Sequence, residues 1–166
     1  MALVHDIAET RTGDVHYVSR QYTKRFEEEA IHEMLKDTAA ETEFLELWKE
    51  YEKRETIEAK ILFDADKLDS IGAIGVARQF CWIGKNNANI YKKVDIDEYI
   101  KENMHGKING RIKDKTKHSP QIEFAVKSKF LIGKLFTETA KEICRERILF
   151  LENFLNRMER EINGEL

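Results

Sequence analysis

The chain alternates between apolar stripes at helical spacing and short polar breaks. At the start, the apolar or small residues before His5-Asp6 read as the end of a buried helix, stopped by Gly13. Residues 19–36 predict a second helix, with Tyr22, Phe26, Ala30, Ile31, Met34 and Leu35 as its stripe. Thr38 and Glu41 have the spacing of a capping box. They open a helix that buries Phe44, Leu45, Trp48 and Tyr51. Thr56 reads as the N-cap of one long helix from Ile57 to Arg78.

Residues 83–118 are less regular, with Gly84, Asn86, Asn87 and Asn89 ahead of a short helix at 95–103. Ser119-Pro120 opens another helix with proline in its first position. The last pattern, Ala140, Ile143, Cys144, Ile148, Leu151, Phe154, Leu155, Met158 and Ile162, is helical throughout. A second capping box, Thr139 to Glu142, lies inside it. No stretch alternates with the period of a strand, so the fold class expected is all-α, a helical bundle.

Two features of this pattern invite chemistry. Asp64, Asp66 and Asp69 interrupt an apolar segment, and Asp66 and Asp69 share a face while Asp64 points away. Gly72, Ala73, Gly75 and Ala77 have almost no side chain and predict close approach by another helix. Near the start, His5 and Asp6 suit a divalent transition metal, and Glu9 lies on the same helical face. Asp14, just past the Gly13 stop, is expected near Glu9.

Composition narrows the classes. There are 28 basic and 31 acidic residues among 166, a formal net charge of -3, which makes no electrostatic case for nucleic acid. No apolar run is long enough for a membrane span, and the start has no basic segment of a signal peptide. The expectation is a cytoplasmic protein with two free buried thiols, Cys81 and Cys144. Lys107–Lys117 reads as a solvated basic loop, with phosphate steering as the minority role.

Each candidate has a bland counterpart. A His-Asp dipeptide alone is more often an accident than a site; burial and the carboxylate at Glu9 raise its weight. Asp66 could be a salt-bridged core carboxylate, with Lys60 or Arg78 as partner. Asp69 either touches a ligand or faces water. His16, His32, His105 and His118 lack metal-ligand spacing and read as surface residues. There is no phosphate-binding glycine loop, zinc cysteine pattern or serine nucleophile elbow.

His5-Asp6-x-x-Glu9 followed by Thr12-Gly13-Asp14 resembles the second motif of the HD-domain metal-dependent phosphohydrolases, in its 5′-deoxynucleotidase branch. Asp64-Ala-Asp66-Lys-Leu-Asp69-Ser-Ile-Gly-Ala-Ile-Gly resembles the third motif, in wording typical of a branch that includes nucleotide pyrophosphohydrolases. The tail from Phe136 looks like the same branch. The resemblance implies an HD-domain-like helical bundle. It implies metal ligation by His5, Asp6 and Asp66, general acid/base work by Glu9 with help from Asp14, and a substrate contact at Asp69. One divalent ion is implied: Mn, Co, Fe, Ni or Zn, with Mg also open. The partner implied is a small phosphorylated substrate, a nucleotide first of all.

The family pattern begins with another histidine ligand well upstream, whereas only Met1-Ala-Leu-Val precedes His5. Residues 1–166 are therefore expected to be a single HD-like domain, incomplete at its N-terminus, with 83–118 as an irregular insertion. A homodimer is one way to cover apolar surface left by the missing helices. The leading reading is a 5′-nucleotidase-type phosphomonoesterase. The alternatives are a nucleoside triphosphate pyrophosphohydrolase, and a non-catalytic binding or oligomerisation module.

Overall fold

The computed structural model describes residues 1–13, 26–108 and 110–165, and among these it is all-α, with no strand. The described residues fall into two compact units, Met1–Phe63 and Asp64–Leu166.

In the first unit the N-terminal stretch is a run of turns and not the predicted helix end. Its backbone mixes three- and four-residue hydrogen bonds, such as Val4 N–H to Met1 O (2.9 Å) and His5 N–H to Met1 O (3.1 Å). Val4 and Ala8 are buried, but Leu3 is exposed. Helix α1, Glu9–Thr12, follows, and Gly13 ends it at φ 74°, where glycine carries no steric cost. Helix α2, Glu27–Leu35, buries Ala30 and Ile31 and packs on α1 and on α3, Glu41–Lys53. The start of the predicted second helix falls at residues 14–25, outside the described ones.

The Thr38–Glu41 capping box does not form. Thr38 Oγ1 donates backward to the Leu35 carbonyl (2.7 Å), and the N-cap of α3 is Ala40, with no side-chain cap. A hydroxyl taken up by the end of α2 is not available to start α3. Thr56 behaves as predicted: its Oγ1 accepts from the Ala59 amide (3.3 Å) at the head of α4, Ile57–Leu68, and donates to Glu50 (2.6 Å).

The long helix predicted from Ile57 to Arg78 is broken. In the second unit α4 ends at Leu68, and α5 runs over Gly72–Lys85. Two local facts cause the break. Arg147 Nη1 donates to the Leu68 carbonyl (2.6 Å), replacing the helical amide, and Gly72 adopts φ 75°. A Cβ on Gly72 would lie 3.0 Å from Arg147 Cγ, so one predicted close approach is real, but at the break. Gly75 is needed for a different neighbour: its Cβ would stand 2.5 Å from the Ser70 carbonyl oxygen.

Helix α6, Ile96–Asn103, is capped by Asp95, a cap the sequence reading does not single out, and α7, Pro120–Val126, by Ser119 with proline in its first turn, as the sequence suggests. A 3-10 segment, Ser128–Lys134, leads to α8, Glu138–Ile162. The cap of α8 is Thr137 and not Thr139: Thr137 Oγ1 accepts from the Ala140 amide. One core cluster joins Leu68 and Ile71 to Leu131, Leu135, Ala140 and Cys144. A second joins Tyr99 and Met104, from the stretch expected as an insertion, to Ile122 and Val126. Cys144 is a buried free thiol as expected, whereas Cys81 is free but exposed.

Candidate functional site

The His5-Asp6 pair lies in the turns of the first unit. His5 is half-buried, with its ring edge-on to Tyr51 at 5.1 Å between centroids. Its Nδ1 lies 2.9 Å from the Ala2 carbonyl, and its Nε2 lies 3.0 Å from Asp6 Oδ2. A carbonyl oxygen only accepts, so Nδ1 must carry a proton. In the neutral ring Nε2 then presents a lone pair toward a carboxylate oxygen. Two acceptors facing each other at that distance require a shared cation, either a second proton on the ring or a metal ion. Nδ1–H fixed by a backbone carbonyl, which leaves Nε2 as the donor atom, is also the usual arrangement of a ligating histidine. The donor chemistry of the pair therefore fits a divalent ion. Asp6 is 60% exposed, so the pair is more open than the sequence suggests. Glu9 heads α1, half-buried, with its amide bonded to the Asp6 carbonyl (3.0 Å). Asp14, like His16, lies outside the described residues.

The aspartates of the third motif divide sharply. Asp64 is the buried one, 2% exposed, and accepts from Phe136 N–H (2.9 Å), Thr137 N–H (2.8 Å) and Thr137 Oγ1 (2.7 Å). It is a strut holding the N-terminus of α8. Asp66, expected in the core, is exposed, and its Oδ2 pairs with Lys67 Nζ at 2.6 Å. Asp69 is exposed and ion-paired with Arg78. In neither unit do the described residues bring three His, Cys, Asp or Glu side chains to one point.

His118 corrects another expectation, because it is buried (2% exposed), whereas His32 and His105 are at the surface. Its Nδ1 lies 2.9 Å from Tyr99 Oη and its Nε2 2.9 Å from Glu123 Oε2. Asn103 Nδ2 donates to the same phenol oxygen (2.8 Å), so the phenol proton points to Nδ1 and Nε2–H points to Glu123. Trp82 packs edge-on to the imidazole, and Lys127 Nζ reaches Glu123 Oε2 at 3.2 Å. The expected basic loop is pinned here as well: Asn103 bonds Asp114 from both sides, and Lys113 Nζ donates to the Glu102 carbonyl. Nothing in the spacing of Tyr99, His118 and Glu123 announces this network. A histidine just before a Ser-Pro cap is the nearest signal.

The network predicts two pH limits. Burial pushes the Tyr99 phenol up to about 12, with Asn103 opposing and nearby carboxylates adding to the rise. The unfolded phenol ionises near 10.0, so this contribution is full below that pH and is lost as pH rises toward 12. Glu123 is the opposite case: burial disfavours its charge, but bonds to His118 and Lys127 prevail and hold it below the usual value. Its contribution is present above the ordinary glutamate range and is lost on acidification through the lowered value. Urea midpoints of wild type should fall more steeply above pH 10.0 than those of Tyr99→Phe, and more steeply in acid than those of Glu123→Gln. Parallel curves in both comparisons would remove the network from the stability account.

Comparison with known proteins agrees with this picture. A family model described as an HD domain matches residues 1–112, more than half of the chain. The uncharacterized protein YpgQ of Bacillus subtilis (strain 168) is 31% identical over 109 residues, 66% of this chain and 42% of that protein. The 5′-deoxynucleotidase HDDC2 of Bos taurus is 38% identical over 76 residues, 43% of this chain and 37% of that protein. These matches span less than half the length of the curated relatives. The crystal structure of B. subtilis YpgQ superposes with TM-score 0.53 at 27% identity, covering 98% of this chain and 75% of that one. The Lin1889 protein of Listeria innocua, at 24% identity and TM-score 0.54, covers 98% and 83% and shares the fold. Together with the two motifs and the all-α fold, these matches show that the chain belongs to the HD-domain phosphohydrolase superfamily.

Proposed function

We propose that the chain carries the metal-binding part of a phosphohydrolase that acts on nucleotides or similar small phosphate esters, of the 5′-nucleotidase type. The observation that supports this most is the His5 ring, whose Nδ1 is tied to the Ala2 carbonyl and whose Nε2 faces Asp6. The likeness of part of the chain to proteins named 5′-deoxynucleotidases adds to it. His5 and Asp6 are two of the ligands, and Asp66 is the third.

When bound, the ion supplies a water of lowered pKa and polarises a phosphoryl oxygen. Glu9 takes the proton of the attacking water on its carboxylate, and Asp14 assists it or holds substrate. Tyr51 keeps the His5 ring in place by its edge-on contact. Asp69, paired with Arg78, is the further substrate contact.

The test uses the chain purified without chelator and soaked with Mn²⁺ or Co²⁺. Elemental analysis should find about one ion per chain that His5→Ala loses. A nucleoside monophosphate should release orthophosphate only when the ion is present. Absence of bound metal after soaking would overturn the reading. Release of pyrophosphate from a triphosphate, with the monophosphate untouched, would transfer the chain to the pyrophosphohydrolase type.

A further inference from the structure

We propose that Arg147 of α8 is a positioning residue: it sets the corner between α4 and α5 that brings Arg78 beside Asp69, and Arg78 so placed contacts the phosphoryl group of the substrate. The substrate contact rests on the phosphohydrolase reading above; the corner rests on bonds within the second unit alone.

The corner is built for Arg147. Its Nη1 donates to the Leu68 carbonyl (2.6 Å), the last of α4. Its aliphatic stem lies along Gly72, where a Cβ would meet Arg147 Cγ at 3.0 Å, Cδ at 3.1 Å and Cβ at 3.4 Å. Gly72 is therefore needed twice, for its φ of 75° and for the room it leaves the arginine. Between them Ile71 is extended (φ -130°, ψ 174°) and packs into the same core cluster as Cys144, one turn before Arg147 on α8. The three amides of the corner have local partners: Asp69 bonds Ala65 O (3.2 Å), Ser70 bonds Lys67 O (3.2 Å) and Ile71 bonds Leu68 O (3.3 Å). Arg147 thus holds the carbonyl on which the corner closes.

The consequence is the pairing of Asp69 with Arg78, nine residues on. On an unbroken helix the two would stand about 13 Å apart along the axis and half a turn round from each other, on opposite faces. The corner cancels that separation. Arg78 Nη1 reaches both the Asp69 carboxylate and, at 3.4 Å, the Asp69 carbonyl. Both side chains are more than half exposed, and an exposed ion pair contributes little to stability. The pair is better suited to recognition. Asp69 engages Nη1 alone, so the Nη2 and Nε donors of the guanidinium fork are left for phosphoryl oxygens. Asp69 fixes the plane of the fork, and Arg147 fixes where Asp69 stands.

Arg147→Met, which keeps a stem against Gly72 but has no donor, tests both parts on the full chain. In metal-free protein, hydrogen exchange over residues 69–71 should quicken about tenfold while α6 keeps its protection. With saturating Mn²⁺, KM for a nucleoside monophosphate should rise about tenfold and kcat should stay within about twofold. Arg78→Ala should raise KM to a similar extent, and adding Arg147→Met to it should add nothing, because one residue acts through the other. Arg147→Lys, which keeps a donor, should recover part of both effects. Arg157→Met, on the same helix and paired with Glu161, is the control and should change neither. Exchange that is unchanged at 69–71, or faster by the same factor throughout the unit, overturns the corner and makes Arg147 a packing residue only. A KM that does not move, or effects of Arg147→Met and Arg78→Ala that multiply, overturns the positioning role. A wild type that binds metal but turns over no phosphate ester overturns the hydrolase reading and the phosphoryl contact with it, whereas the exchange result still decides the corner.

Discussion

Asp64→Ala is expected to destabilise the protein by about 3–5 kcal/mol, read as a lowered urea midpoint. The carboxylate is almost wholly buried and accepts from two backbone amides and one hydroxyl. Alanine would leave all of these donors without a partner, and unmade hydrogen bonds to a buried charge are costly. The negative charge also sits at the N-terminal end of the 25-residue helix α8, where the helix dipole favours it. Asp64→Asn keeps the shape and an acceptor oxygen, so it should lose less than alanine. Thr137→Val should lose about 1 kcal/mol, since it removes the cap of Ala140 and the hydroxyl bond to Asp64 together. If Asp64→Ala melts within about 1 kcal/mol of wild type, the strut assignment fails.

Two positions along, Asp66→Ala should do the reverse. Its carboxylate is exposed and pairs with the neighbouring Lys67, an ion pair worth at most about 1 kcal/mol. Stability should change by less than that. Metal-dependent release of phosphate should fall at least about a hundredfold, because even the residues behind a metal ligand can cost that much when removed. Bound metal, measured on the same sample, should fall with it. Undiminished activity with Mn²⁺ in Asp66→Ala would remove this residue from the ligand set. The pair of variants separates the roles within one short motif, since one should cost folding and the other chemistry.

Much of the framework is legible in the residue pattern alone. Helical spacing marks the stripes of α3 and α8, and the absence of alternation points to the class. Gly13, Thr56 and Ser119-Pro120 carry their local instructions within three or four residues, and they act as read. Local signals fail where two of them compete. Thr38 could end one helix or start the next, and the Leu35 carbonyl takes it.

The His5-Asp6 pair and the aspartate-rich helix are recognisable as motifs because their residue types and spacing are unusual in themselves. Periodicity also puts Asp64 and Asp66 on different sides of their helix. It does not say which side is buried. That depends on Phe136 and Thr137, more than seventy residues away, whose amides need an acceptor. The same holds for the break at Leu68, imposed by Arg147, and for the burial of His118, imposed by Tyr99 and Glu123.

Residue order is thus enough for the helical class, for the local caps that have no competitor, and for the chemistry available at His5, Asp6 and Asp66. Which polar groups become struts and which stay exposed is a matter of packing. A side chain's type sets what it can bond, but burial and the partner that satisfies it come from residues distant in the chain.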